Sequence, residues 1–233
     1  MESTLKPIFL LADSQPLFKT YEGQYLLADA HKTFTDSDLL AAYIGASNDD
    51  NPAYYEIFTY AMQPYALEEC RMIRRAFSAE DRDFLQNAHI ILLAGGDTRK
   101  GWRWMEEKGV VEIIRERYVK GGLLIGVSAG AIQLGICGHS AADNGDIMLF
   151  ETLKLVPFCI DAHREKNDWA ELKKALRRGR ANMRAFGLPF GSALVYHSEH
   201  KMQPFGPVDE FYVRNGNIYH NLLLPDNEHW SVT

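Results

Sequence analysis

Three short stretches carry residue types suited to acyl-transfer chemistry. The first is Gly126-Val-Ser-Ala-Gly130, which follows the apolar run Leu123–Val127 and precedes Ala131-Ile-Gln-Leu134. A serine on a sharp strand-to-helix turn needs small neighbours, because the turn crowds backbone against side chains. Its Oγ is then exposed, and the next amide can donate to an oxyanion. The second stretch is Leu93-Ala-Gly-Gly-Asp-Thr98. On its own it reads as a turn in which Asp97 or Thr98 caps a helix, and it lacks the lysine and hydroxyl spacing of a phosphate loop. Beside a serine elbow it gains a sharper role. The N–H groups of Gly96 and Ala129 could converge on one developing oxyanion.

The third requirement is a base, since a serine is inert until its proton is taken. Eight histidines compete. His163 closes the segment Val156-Pro-Phe-Cys-Ile-Asp-Ala-His163 and should emerge at a strand end. His139 lies just past the elbow helix and is expected to point away. His197 and His200 in HSEH could suggest a metal pair, but no third ligand is evident, so neither metal nor cofactor is expected.

Such residues need elements to hold them. Apolar runs bounded by turn residues recur at 7–11, 39–44, 88–93, 123–127 and 193–197. They are continuous rather than alternating, as strands covered on both faces require. Helix-like stretches lie at 52–62, 68–77, 102–119 and 168–178. This alternation predicts an α/β fold, a doubly wound, mostly parallel, flavodoxin-like sheet flanked by helices. Residues 211–222, with a turn at Arg214-Asn215-Gly216-Asn217, predict an edge hairpin near the C-terminus. No repeat or long linker appears, so one domain is expected over residues 1–233. In such sheets ligands gather at the carboxyl ends of the strands, where Ser128 and Gly96 would both sit.

Composition narrows the partners. Of 233 residues, 46% are hydrophobic and 24% charged, which excludes wholesale disorder. The net charge of −6 argues against nucleic acid. The basic run Lys173, Lys174, Arg177, Arg178, Arg180 and Arg184 reads as a solvated helix face. Three cysteines, Cys70, Cys137 and Cys159, form no framework spacing and suit a reducing compartment. With no secretory pattern at the start of the chain, a cytoplasmic location is expected. Residues 121–138 are uncharged over eighteen positions, yet their six glycines point to a buried strand and short helix, not a membrane span.

Taken together, Gly95-Gly-Asp-Thr98, Gly126-Val-Ser-Ala-Gly-Ala131 and Phe150-Glu-Thr-Leu-Lys-Leu-Val-Pro-Phe-Cys-Ile-Asp-Ala-His163 resemble, in order and spacing, three motifs of the serine peptidase family S51 of dipeptidase E and cyanophycinase. The resemblance covers about residues 5–225 and implies a class I glutamine amidotransferase-like fold. It implies Ser128 as nucleophile, His163 as general base, and Gly96 and Ala129 as oxyanion amides. The acid that orients His163 would come from the loop 140–146, where counting from the serine favours Asp143 over Asp146, with Glu151 third. Two departures bear on substrate. The family's Asn in Gly-Gly-Asn-Thr is Asp97 here, which should turn away to cap its helix or meet a substrate ammonium. Arg164 replaces an aromatic residue common after the histidine, and would alter the pocket floor. Relatives cleave after an N-terminal aspartate or attack β-linked aspartyl-arginine units. An acidic substrate would need a cation, and Arg99, Lys100, Arg103 and Arg164 are candidates. A small peptide is the expected substrate, and a homodimer is allowed for.

Three rivals share some of these residues. An α/β-hydrolase esterase would use the same elbow with His220 or His229 as base and Asp209 or Asp226 as acid. A glutamine amidotransferase would place cysteine at the elbow, where Ser128 stands; Cys137 and Cys159 read as small buried hydrophobes. A non-catalytic, small-molecule-binding member of the same fold would keep the elbow without turnover.

Overall fold

The computed structural model describes residues 5–21, 23–35, 38–141, 146–179 and 183–225. The chain runs β1 (Ile8–Leu11), β2 (Leu40–Ile44), α1 (Pro52–Met62), β3 (Glu69–Ile73), α2 (Ala79–Asn87), β4 (Ile90–Leu93), α3 (Thr98–Lys108), α4 (Val110–Val119) and β5 (Leu123–Val127). It continues through α5 (Ala129–Leu134), β6 (Cys137–Ala141), β7 (Ile147–Glu151), β8 (Cys159–Ala162), α6 (Ala170–Arg178), β9 (Arg184–Leu188), β10 (Ala193–Tyr196), β11 (Met202–Phe205), β12 (Val208–Arg214) and β13 (Asn217–Leu223).

Seven strands form the main sheet in the order β11-β10-β1-β5-β4-β2-β3. From β1 to β3 every neighbour is parallel, while β10 and β11 add antiparallel pairs. The central runs are continuous because both faces are covered. Ile8, Leu10, Ile91, Leu93 and Leu124 enter one core cluster, whereas Phe9, Leu11, Leu92, Leu123 and Ile125 enter another with Phe58 and Met62 of α1. The period of two along each strand sends alternate residues to opposite cores. This is the predicted α/β architecture.

A second sheet, in the order β8-β9-β12-β13, carries the predicted hairpin. Its strands Val208–Arg214 and Asn217–Leu223 pair around the expected turn, but at the edge of this smaller sheet.

Two local expectations fail. Residues 68–77 are not helical: Glu69–Ile73 is β3, the edge strand pairing in parallel with β2. Its charges are accommodated at the sheet edge, with Arg71 bonded to Glu69 at 2.8 Å and stacked over Phe84 at 4.5 Å. Only the neighbouring strand supplies the backbone partners that decide the matter. Residues 102–119 form two helices, broken at Gly109. Helix α2 is not among the predicted helical stretches, although Ser78 and Asp81 form a reciprocal capping box at its start.

The cysteines also differ from expectation. Cys137 on β6 and Cys159 on β8 are joined as a disulfide, with Cα atoms 5.7 Å apart, and Cys70 is free. A separation of 22 residues carries no recognisable framework, and tertiary packing alone brings the two strands together. The odd count is therefore no guide to compartment. Among the described residues no helix is long and apolar enough to cross a membrane; the uncharged stretch 121–138 divides among β5, α5 and the start of β6.

Candidate active site

Ser128 sits between β5 and α5 with φ 49° and ψ −108°, a conformation that non-glycine residues rarely adopt. Strain of this kind costs on the order of 1–3 kcal/mol and persists only when the surroundings enforce it. Here they do. The Ser128 N–H donates to Leu11 O of β1 at 2.8 Å, and Ser128 O accepts from Ile132 N at 3.1 Å. The flanking glycines let the helix lie directly on the sheet. A methyl group at Gly126 would meet Ala131 N at 2.6 Å, and one at Gly130 would meet Leu93 O at 2.0 Å. The small residues of the motif are thus a packing requirement as well as a turn requirement.

His163 follows β8 directly. Its own N–H donates to Leu188 O of β9 at 2.8 Å, and its φ of 46° turns the chain out of the strand. The imidazole Nε2 lies 2.7 Å from Ser128 Oγ, a hydrogen bond that spans 35 residues of sequence. The ring is exposed and Ser128 is half-buried, so both groups face the opening above the sheet.

The turn after β4 completes the wall beside the serine. A methyl group on Gly95 would stand 3.4 Å from Ser128 Cβ. Gly96 has φ 135°, and a methyl there would fall 2.1 Å from Ser47 O, so only glycine fits. Asp97 N donates to that same Ser47 O at 2.8 Å. Asn48 Nδ2 donates to Gly95 O at 3.0 Å and to Tyr43 OH at 2.9 Å. Because a peptide is planar and trans, anchoring the Gly95 carbonyl also sets the opposite direction of the Gly96 N–H. Burial pushes the Tyr43 phenol up to about 12, so it remains neutral beside Asn48. Gln133 on α5 ties the elbow to this turn by donating to Ser47 Oγ at 3.1 Å and Thr98 O at 2.9 Å.

The remaining predicted residues fall elsewhere. Asp97 caps α3, its Oδ1 accepting from Lys100 N at 2.9 Å, and neither Asp97 nor Arg164 lines the cleft described below. Asp143 lies outside the described residues. Asp146 accepts from Ile147 N at 2.9 Å and pairs with Arg178, and Glu151 pairs with Lys154 at 2.7 Å. Among the described residues no carboxylate hydrogen-bonds His163. His139 is buried, with Asp161 at 3.5 Å and Glu171 at 3.9 Å. Asp209 and His220 do pair, at 2.5 Å, and Trp169 Nε1 donates to Asp209 at 2.9 Å. That pair belongs to β12 and β13 of the second sheet and is absent from the cleft lining, so it cannot serve Ser128 as an esterase would need. His229 and Asp226 lie outside the described residues. His197 contacts Gln203 and His200 contacts Tyr196, and no metal-binding cluster occurs among the described residues.

Ser128 and His163 open onto a cleft of about 980 Å³. Part of its lining comes from just past the carboxyl ends of four parallel strands: Asp13 after β1, Asn48 after β2, Gly95 and Gly96 after β4, and Ser128 after β5. Asn48 and Tyr43 are absent from the sequence reading. The rule that found Gly96 applies equally to the end of β2 and would have pointed to Asn48.

A protein-family model for peptidase family S51 matches residues 35–203. The chain belongs to peptidase family S51. Among solved structures, the fold is similar to that of a peptidase from an acI-B1 Actinobacterium, with a TM-score of 0.68, 16% identity and 97% of each chain covered. It is also similar to a protein assigned as peptidase E from Listeria monocytogenes EGD-e, with a TM-score of 0.62, 16% identity, and 86% of this chain and 98% of that one covered. A search of curated proteins returned no match. The S51 match includes the turn at 95–98, the elbow and His163, so the geometry above lies inside the family region. Membership makes the chain a peptidase, and hence a hydrolase.

Proposed function

We propose that this S51 peptidase is a serine-type exopeptidase or dipeptidase acting on small peptides through an acyl-enzyme on Ser128. The reading is carried by the 2.7 Å contact between Ser128 Oγ and His163 Nε2 at the floor of an open cleft. His163 accepts the hydroxyl proton as Oγ attacks the scissile carbonyl carbon. The amides of Gly96 and Ala129 hold the resulting oxyanion. The tetrahedral intermediate collapses as His163 passes its proton to the leaving amine, giving a serine ester and a free amine. Water then attacks the ester while His163 takes its proton, and Ser128 departs with that proton restored. Asp143 is the proposed partner that orients the imidazole. A cleft of this size holds a molecule of a few residues, which favours a small peptide over a folded protein.

A fluorophosphonate probe tests the assignment. Ser128 should be labelled, and His163→Ala should slow labelling by about a hundredfold or more, since general-base help is typically worth about 10²–10⁴. His220→Ala should label at the wild-type rate. Equal labelling in both variants, or none in the wild type, overturns the reading.

The anchored peptide gives a second expectation. Asn48→Ala frees the Gly95 carbonyl and lets the Gly96 N–H swing off line. Losing an oxyanion donor outright costs about 10²–10³ in rate, and a donor that is merely loosened should cost less. Steady-state assays with an amide substrate should show kcat down by about tenfold; an unchanged kcat would remove Asn48 from this role.

A further inference from the structure

The cleft's charges and walls bear on what it takes, an inference that rests on the serine peptidase reading above. A substrate with an acidic first residue needs a cation near the nucleophile. Arg99, Lys100 and Arg103 line a separate depression with Asp97, and Lys100 pairs there with Asp49 at 2.5 Å. Arg164 lines neither. Of the carboxylate and amine side chains that do line the cleft, two are acids, Asp13 and Glu165, and one is a base, Lys166. Both oxygens of Asp13 already hold a backbone donor, one accepting from Gln15 N at 2.8 Å and the other from Gly191 N at 2.6 Å.

Glu165 is different. It stands two residues past the base, and its Oε2 is buried without a hydrogen-bond partner. A carboxylate oxygen withdrawn from water costs free energy until a donor reaches the group. The walls are apolar: Leu17, Ile57, Phe58, Leu92 and Val127 face the same space. Tyr54 and Phe190 stand at it 53% and 64% exposed, aromatic surface that a bound side chain could cover.

We propose that the site takes peptides with a free N-terminus and an apolar or aromatic first residue, with Glu165 receiving the α-ammonium. The α-nitrogen lies one carbon away from the carbonyl that Ser128 attacks. The carboxylate that holds it must therefore line the same cleft as Ser128 and His163, and Glu165 does so two residues past the base. The cleft offers the side chain apolar contact and its acids outnumber its cations, so an aspartate side chain would be desolvated against unfavourable charge.

The test compares leucyl-, phenylalanyl- and aspartyl-aminomethylcoumarin, each free and N-acetylated, on the full chain, with fluorophosphonate labelling of Ser128 run in parallel. Apolar discrimination in such pockets is worth about ten- to a hundredfold, so kcat/KM for leucyl and phenylalanyl substrates should exceed that for aspartyl by at least about tenfold. N-acetylation should cost about tenfold or more through loss of a charge-assisted hydrogen bond. Glu165→Gln should collapse the ratio of free to acetylated substrate towards one, a change that general loosening of the site would not produce. Preference for the aspartyl substrate, or an undiminished ratio in Glu165→Gln, overturns the proposal. The wild-type substrate ranking stands even if that variant fails to fold. A wild-type protein whose Ser128 labels yet prefers aspartate refutes the substrate class alone. A wild type that neither labels nor cleaves refutes the peptidase mechanism beneath it.

Discussion

Ser128→Ala should lower kcat/KM for any amide substrate by at least about 10⁴-fold and leave no site for the fluorophosphonate. The magnitude follows from how a nucleophile and its base act as a unit, so that removing either forfeits nearly all of the covalent route. What survives is the contribution of binding and the oxyanion donors, roughly 10³–10⁴ over water in enzymes of this kind. The variant should fold normally. Ser128 is held at its unusual φ by backbone bonds to Leu11 and Ile132, not by its hydroxyl, and alanine adopts that φ at no greater strain. A thermal melt unchanged within a few degrees, together with abolished turnover, separates lost chemistry from lost structure. Wild-type turnover in Ser128→Ala would end the serine assignment.

Gly130→Ala should produce a large loss of stability from a single added methyl. Its Cβ would lie 2.0 Å from Leu93 O, 2.5 Å from Leu93 C and 2.8 Å from Leu93 Cβ. The carbonyl belongs to β4, the strand that leads into the Gly95-Gly96 turn, and cannot rotate aside. Relief requires α5 to lift from the sheet. Overpacking typically costs about 1–3 kcal/mol, and a contact this close to fixed backbone belongs at the upper end, about 3 kcal/mol, equivalent to a fall in Tm of about 6–12 °C for a chain of this length. Lifting α5 also moves Ser128 relative to His163 and Gly95, and a misplacement of about 1 Å can cost about a hundredfold in rate. Gly109→Ala is the contrast: nothing stands within 4 Å of its added methyl, and only its φ of 67° is penalised. It should lose about 1 kcal/mol with kcat intact. Similar melts and rates for the two variants would show that α5 is not pressed against β4 as described.

Much of the candidate site is legible in the sequence itself. Gly126 and Gly130 around Ser128 announce a tight elbow because only small residues survive there. The apolar run ahead of them places the elbow at a strand's carboxyl end, by the same logic that places Gly96 after β4. The strands themselves were legible because burial on both faces leaves a continuous apolar signature. Family resemblance added His163, which residue type alone could not separate from seven other histidines.

Contacts between segments distant in the chain were decided only by the tertiary structure. Residues 69–73 form a strand because β2 lies alongside, although the stretch 68–77 reads as a helix by itself. Cys137 meets Cys159 because β6 and β8 are packed together. Asp209 finds His220 across a hairpin, yet on a sheet that does not serve the cleft. Asn48 and Glu165 carry no motif, and each becomes informative only through a neighbour, the carbonyl of Gly95 for one and an unfilled acceptor beside the cleft for the other. Local pattern reports what a segment needs from its surroundings, namely burial, small size or a turn. Which distant segment meets that need depends on the packing of the whole chain, where backbone partners and desolvation are settled together.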